Sequence, residues 1–481
     1  MAMAKTEASG GVSLLPEVLA FSSSLSLDRQ LLVEDLVGSL AHVTMLARTK
    51  VIPAADARNI RQGLLDIWKA HQGNTLALPD EEDVHMAVET WLAQHIGASS
   101  GLLHSARSRN DQVATDLHLH VREHCARAIE DIVGLLHDVL ARAQTSKDVL
   151  IPSYTHRQRA MPVSLAYWWA AWGAALVRDA ELFAFALSQA DVLPLGVGAI
   201  AGTSLAIDRE TTRKLLGFSR LTVNGLDTVG DRDFALDYTY AAARLMVHLG
   251  RLSTDVIDFT SQEFGFATLG GEVACGSSMM PQKRNPDVFE LLRGKSGRAI
   301  GNLTGLFATV KGLPGGYNRD LQEDRAALLE TGPLIHQSVS ICRVGLAHLT
   351  FHPERTRAGV EDGFTQATDV AEALVKKGLA FRDAYKKVGA LVRRCQESGT
   401  ALSRVPLATA QAVDPAFDEA VLAAAQPAAA VKAKESEGGT GPKSVDRQLA
   451  WISDRAAALH KTARDVPRLE GLLASLEKEQ V

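Results

Sequence analysis

The sequence predicts an all-α protein organised around a central bundle of five long helices. Prolines leave four unbroken stretches in the middle of the chain, Asp111 to Ile151, Val163 to Leu193, Asp231 to Phe266 and Asp287 to Leu313. A fifth, Asp320 to Phe351, is interrupted only at Gly332-Pro333. Within the fourth, Leu292, Ala299, Leu303, Leu306 and Val310 recur at sevens, fours and threes, which lays them along one helical face and not in strand alternation. Stretches of this length with so few internal stops exceed ordinary globular helices and suit coiled-coil-like packing.

Taken in order, residues 1–106 carry shorter helical patterns such as Arg29 to Arg48, with Pro53 and Pro79 as breaks, and read as a small N-terminal helical domain. Residues 107–357 hold the bundle. Single glycines inside it, Gly134, Gly173 and Gly250, are tolerable costs of roughly 1 kcal/mol each. Gly332-Pro333 should kink or break the fifth helix near its middle. A loop at 270–287 lies between the third and fourth stretches; Gly270, Gly271 and Gly276 make its approach flexible. Asn285 suits an N-cap and Pro286 a first helical residue for the helix that follows. Residues 358–481 form a C-terminal helical domain. It begins with a segment containing Asp369, Leu374 and Lys377, then passes the Ala-rich run Ala420 to Ala433 and a loop at Glu435 to Pro442. It returns to helix from Ser444, a plausible cap, to Ala458.

With 481 residues, 46% of them hydrophobic, the chain can bury a large core. A net charge of −5 provides no basic face for nucleic acid and favours a small-molecule role. No apolar run is long enough to span a bilayer, and Met1 to Gly11 has neither a signal-peptide nor a transit-peptide pattern, so a cytoplasmic protein with no membrane partner is expected. The four cysteines, Cys125, Cys275, Cys342 and Cys395, lack zinc-site or disulfide-scaffold spacing and read as reduced thiols. Long helices apolar on more than one face would leave hydrophobic surface bare in a monomer, which predicts association.

The most informative run is Gly276-Ser277-Ser278-Met279-Met280-Pro281-Gln282-Lys283-Arg284-Asn285-Pro286-Asp287. A loop carrying Ser, Lys and Asn can surround an anionic substrate with donors and exclude water on closing. This run resembles the signature of the fumarase/aspartase superfamily of elimination enzymes, in the form found in the argininosuccinate lyase family. Ser105 to Asp116, Tyr154 to Ala160, Glu82-Asp83-Val84-His85 and Tyr317 to Asp324 are similar to further segments of that family, and the likeness runs from about Ser22 to about Gln448.

The resemblance implies a cofactor-free and metal-free β elimination of argininosuccinate to arginine and fumarate, the last step of arginine biosynthesis. It also implies a homotetramer whose active sites each gather segments from three subunits. Such a reaction needs a base for a weakly acidic carbon proton, donors for the resulting carboxylate charge, and an acid for the departing nitrogen. The resemblance assigns the base to Ser277, with Ser278 as the local alternative. A neutral serine is a poor base unless donors stabilise its alkoxide, and backbone N–H groups and Lys283 are the candidates. His156, whose ordinary pKa lies near working pH, suits the acid, and the family pairs it with the residue matching Glu290. Lys283, Asn285, Arg109, Asn110 and Thr155 supply donors for charge, and the family pattern adds Ser24, Tyr317, Gln322 and Arg325 to the residues that hold substrate.

Some positions depart from the pattern. Arg325 stands for a usual lysine, Arg157 for a usual leucine, and Gly315-Gly316 for bulkier residues, which leaves fine specificity open. The family's tryptophan-glycine-glycine-arginine opening is also absent. Two rival readings remain. One is a related lyase on another aspartate adduct, such as adenylosuccinate, against which Arg109-Asn110-Asp111-Gln112 weighs, or an amine-disuccinate. The other is a non-catalytic, crystallin-like structural protein, against which the retention of Ser277, His156, Lys283 and Glu290 weighs. Gly196 to Gly202 has its third glycine one place too late for a dinucleotide loop. The patch Asp116, His118, His120 and His124 reads as a solvated helix face and not as metal ligands. Asp231-Arg232-Asp233 reads as a helix-start charge cluster.

Overall fold

All five long stretches are helical in the computed structural model, which describes residues 15–480; the Met1 to Gly11 segment lies outside them. Before the bundle come α1 (Leu32–Arg48), α2 (Ala54–Gln72) and α3 (Val84–Ile96). Asp83 caps α3 by accepting the Met86 N–H at 2.7 Å. The bundle consists of α4 (Arg109–Thr145), α5 (Leu165–Ala190), α6 (Asp233–Thr260), α7 (Asp287–Val310) and α8 (Asp324–Ala347). Trp169, Phe183, Phe234, Tyr238 and Phe289 are fully buried in its core, each such side chain stabilising the fold by roughly 1.5–3 kcal/mol.

The chain's end returns to the bundle and to the first helices. After α9 (Pro353–Asp362) come α10 (Ala367–Lys376) and α11 (Phe381–Ser398), which carry a separate apolar cluster; α12 (Pro442–Arg464) then sets Val445, Leu449, Ile452, Ala456 and Leu459 into the bundle core. The last helix, α13 (Leu469–Lys478), places Leu472, Leu473 and Leu476 among the residues of α1 and α2.

The consecutive helices α6, α7 and α8 run up and down, which gives the bundle two distinct ends. At one end Arg232, just before α6, is ion-paired to Asp324 at the start of α8. At the other end the Arg142 guanidinium of α4 donates to the carbonyl of Leu349, just past α8, at 3.0 Å. Gly270 N–H there donates to His348 O at 3.0 Å.

Strand structure is confined to short pairs. β1 (Leu150–Thr155) and β2 (Gln158–Ser164) form an antiparallel hairpin that helix periodicity did not reveal. β3 (Ala267–Leu269) pairs with β6 (Leu349–Phe351), and β4 (Cys275–Gly276) with β5 (Arg284–Asn285).

Three local expectations are corrected. Pro333 does not break α8: Gly332 beside it lets the helix press on the His124 ring, where a Cβ would come within 2.4 Å, and burial on this face compensates the missing hydrogen bond. Asn285 is not the cap of α7, because its backbone is paired with Cys275 in the β4–β5 ladder; the helix starts at Asp287, with Pro286 in the cap position. Ser444 does not cap α12 either. It lies inside the helix, and the Glu435 carboxylate accepts the N–H groups of Lys443 at 3.3 Å and Ser444 at 3.0 Å instead.

Candidate active site

At the start of α4, Ser108 and Asp111 form a reciprocal capping box, Ser108 N–H donating to Asp111 Oδ1 at 2.9 Å. The other oxygen, Asp111 Oδ2, accepts the N–H groups of Gly196 at 2.9 Å and Gly198 at 2.8 Å. Both glycines have positive φ, and a side chain on Gly196 would strike Arg209 at 2.7 Å. The glycine-rich segment that superficially resembles a nucleotide loop is thus a nest for the protein's own carboxylate. This clamp sets Asn110, whose Nδ2 donates to Ala199 O at 3.0 Å.

Arg109 lies beside it, its Nε 3.2 Å from Asp83 Oδ2 and its Nη1 donating to Gln112 Oε1 at 2.6 Å. The Glu82-Asp83 segment is also where the N-terminal serines and the residues before α8 converge. Glu82 O accepts from Ser24 N–H at 2.9 Å, and the Glu82 carboxylate pairs with Arg319. Gln322 Nε2 and Arg319 Nη2 both donate to Ser22 O at 3.0 Å. Ser24 Oγ donates to Asp28, whose other oxygen is 2.7 Å from Arg325 Nε. Ser24, Arg109, Asn110, Tyr317, Gln322 and Arg325 therefore occupy one end of the bundle, Tyr317 lying two residues before Arg319. Arg325 is 4% exposed, and Asp324 and Asp28 raise its pKa against the effect of burial.

Asp28, Asp83, Arg319 and Asp324 hold these residues in place; sequence reasoning included Asp83, Arg319 and Asp324 only as parts of motif segments, with no role, and did not name Asp28. For Asp28 the available signal was a carboxylate set among Leu25, Leu27, Leu31 and Leu32.

The remaining candidates lie at the opposite end. Thr155 and His156 are exposed at the hairpin tip, where His156 and Arg157 form the two-residue turn and Arg157 pairs with Asp258 of α6. In the 270–287 loop, Ser277 Oγ accepts two backbone N–H groups, from Met279 at 3.2 Å and Met280 at 3.0 Å. Two N–H dipoles aimed at one oxygen stabilise negative charge there. Asn285 is half-buried; Lys283 and Glu290 are exposed, with no ion-pair partner among the described residues. His156 and Glu290 are not hydrogen-bonded to each other within the chain. The two ends are separated by the length of α7, whose 24 residues span roughly 35 Å. One chain therefore does not bring the donor cluster of Arg109 and Asn110 to Ser277.

The histidine patch on α4 is not a solvated face. His118 and His120 are buried; His118 Nδ1 is 2.9 Å from Ala190 O, and His120 Nδ1 is 3.0 Å from Glu34 Oε1. Burial lowers the His118 pKa to about 3 and that of His120 to about 4, and pushes Glu34 up to about 8. Asp116 instead meets His85 at 2.7 Å. Burial would keep His85 neutral, but Asp116 and Asp83 outweigh it and raise the imidazole to about 10. Asp35, His85 and Asp116 have metal-ligand chemistry, with ligand atoms within 4.8 Å of one another. Two of the three are engaged with each other and the third elsewhere: His85 Nε2 lies 2.7 Å from Asp116 Oδ2, and Gln112 Nε2 donates to Asp35 Oδ1 at 2.6 Å. Cys125, Cys342 and Cys395 are buried free thiols and Cys275 an exposed one. Among the described residues no helix is long and apolar enough to cross a membrane.

Comparison with known proteins sets this geometry in a family. A family model described as "Lyase" matches residues 16–301, and one described as "Argininosuccinate lyase C-terminal" matches residues 364–432. The argininosuccinate lyase of Limosilactobacillus fermentum is 44% identical over 430 residues, covering 89% of this chain and 94% of that one. That of Bacillus subtilis is 41% identical over 89% of this chain and 93% of that one. Among solved structures, EDDS lyase in complex with formate superposes with a TM-score of 0.80 at 24% identity over 94% of each chain. A fumarate lyase:delta crystallin from Brucella melitensis bound to cobalt gives 0.68 at 17% identity, over 84% of this chain and 92% of that one. At these identities the structural matches speak for the helical fold alone.

Proposed function

The chain belongs to the argininosuccinate lyase family, and from that premise we propose how its residues divide the cleavage of argininosuccinate into arginine and fumarate. It is a carbon–nitrogen lyase of arginine biosynthesis. Ser277 Oγ, as alkoxide, takes the proton from the succinyl carbon next to the carboxylate. The electron pair left behind spreads into that carboxylate, then returns to form the fumarate double bond as the carbon–nitrogen bond breaks. His156, paired with Glu290, protonates the departing guanidino nitrogen. The observation that carries the base assignment is the pair of N–H groups from Met279 and Met280 on Ser277 Oγ, which supplies the alkoxide stabilisation a serine base requires. Lys283 and Asn285 serve the developing carboxylate charge. Arg109, Asn110, Thr155, Tyr317 and Gln322 hold the substrate, with Ser24 and Arg325 behind them.

The roughly 35 Å between the two residue groups supports a site shared between chains. So does the surface of α7. Gly294, Gly297, Gly301 and Gly305 lie on one face and an added Cβ at any of them meets open space, while Leu291, Ile300 and Phe307 are 63%, 45% and 52% exposed. Small residues in a row allow close helix approach and the apolar residues gain from burial, so the face suits further copies of this chain in a homotetramer. A cytosolic location fits a reaction among small polar metabolites.

The test is fumarate release, followed by ultraviolet absorbance, from argininosuccinate, with adenylosuccinate and an amine-disuccinate in parallel and chelator present. Release from argininosuccinate alone is expected, with loss of at least a hundredfold in kcat for Ser277→Ala and for His156→Asn. Wild-type turnover by either variant would remove that residue from its role.

A further inference from the structure

His156 is presented by unfavourable backbone. The turn between β1 and β2 is two residues long, and both, His156 with φ 53° and Arg157 with φ 59°, adopt the left-handed conformation without being glycine. Such a turn persists only where its surroundings hold it. Packing beneath the hairpin reaches only to Tyr154, whose ring lies 5.5 Å from that of Phe264; the two turn residues beyond it stand over a cavity of about 370 Å³ lined by Tyr154, Arg157, Trp168, Asp255, Asp258 and Phe264 among others. The lower rungs are fastened by Ser153, whose Oγ donates to Met161 O at 2.8 Å and accepts Met161 N–H at 3.1 Å. At the tip the tether is ionic. The Arg157 guanidinium bridges to the Asp258 carboxylate in the last turn of α6. Asp255, one turn earlier, is engaged by Trp168 Nε1 at 3.0 Å and does not compete for Arg157.

We propose that Arg157 and Asp258 form a positioning pair that fixes the hairpin tip over its cavity and thereby aims His156 at the leaving nitrogen. The pair touches neither substrate nor reacting atoms; it acts through the turn conformation. The proposal rests on the reading of His156 as the acid. A tip released from Asp258 would wander over the cavity, and misplacement of a catalytic group by about 1 Å can cost up to a hundredfold in rate.

Steady-state kinetics and thermal unfolding of the full-length protein decide it, for Arg157→Leu, Arg157→Lys, Asp258→Asn and the exchanged double variant Arg157→Asp with Asp258→Arg. The expected result is a loss in kcat of roughly tenfold for Arg157→Leu and for Asp258→Asn, with KM within about twofold and unchanged melting temperature. Arg157→Lys should retain most of kcat, and the exchanged pair should recover part of it. Wild-type kcat in either single variant, or a loss that Arg157→Lys and the exchanged pair both fail to relieve, would overturn the pair. His156→Asn run alongside separates the two claims. If it is crippled while Arg157→Leu is not, only the positioning pair falls; if it turns over normally, the acid assignment falls and takes the pair with it.

Discussion

Arg325 Nε stands 2.7 Å from Asp28 Oδ1, and both side chains are almost entirely removed from water. Arg325 also lies 3.3 Å from Asp324, which is itself paired with Arg232, so two arginines and two carboxylates share one buried site. Removing one member leaves an uncompensated charge where water cannot reach it. Arg325→Ala should therefore cost about 3–5 kcal/mol in a urea unfolding titration, whereas Arg325→Lys, which keeps the charge but not the planar fork, should lose less. A cost below 1 kcal/mol for Arg325→Ala would mean that the network is not a structural unit. Because Ser24 Oγ donates to the same Asp28, the alanine variant should also raise KM.

Asp111 is the corresponding single point of failure at the start of α4. It accepts from Ser108, Gly196 and Gly198, so Asp111→Ala orphans three N–H groups at once. Each buried orphan costs on the order of 1–3 kcal/mol, and partial rehydration should hold the total to about 2–4 kcal/mol. Turnover should fall further than stability, because the clamp also sets Asn110 against Ala199. Parallel unfolding and kinetic measurements check this, and an Asp111→Ala enzyme with unchanged KM and kcat would show that Asn110 is held by other means.

Legibility followed range. The five long helices could be read because proline absence and apolar period are properties of adjacent residues. The β1–β2 hairpin could not: Pro152 and Pro162 look like breaks, and its turn is His156-Arg157 in place of the Asn-Gly that marks such turns. The motif residues Ser277, Thr155 and Asn110 could be named from sequence, but their distribution over opposite ends of the bundle depends on how α6, α7 and α8 fold back, which no local pattern states. The histidines of α4 were misread as solvated because their partners are remote; Glu34 lies 86 residues from His120. Asn285 and Ser444 have good capping chemistry, yet a strand ladder at one and Glu435 at the other took the place of their side chains.

Those buried histidines and their neighbours set the pH range of stability. His118 and His120, with pKa values lowered to about 3 and 4, bind fewer protons folded than unfolded, so they withdraw stability as pH falls below about 6.5. Glu34, raised from 4.5 to about 8, and His85, raised from 6.5 to about 10, bind more protons folded. Stability from Glu34 is lost as pH rises from about 4.5 to 8, and that from His85 between about 6.5 and 10. Between pH 6.5 and 8 both act in the same direction, and Glu34 alone should remove about 2 kcal/mol across that window. The melting temperature should thus decline from pH 6.5 to pH 8, and Glu34→Gln should flatten that decline. A variant with the wild-type slope would show that Glu34 ionises normally in the fold.

The glycine face of α7 yields a prediction in which two effects of one substitution have opposite signs. Gly301→Leu adds a side chain where the single chain has open space, and a leucine is favoured over glycine inside a helix by roughly 0.8–1 kcal/mol. A free protomer should accept the change, even gain from it. A neighbouring helix packed close against that face should not, since the added side chain would hold the two backbones apart. Light scattering coupled to size-exclusion chromatography should therefore show the variant as a smaller species with undiminished helical circular dichroism. Its turnover should be largely lost, because Ser277 and the Arg109–Asn110 cluster cannot meet within one chain. An oligomer of wild-type mass and activity would place the shared interface on another face of the bundle, with the exposed Leu291, Ile300 and Phe307 still to be covered.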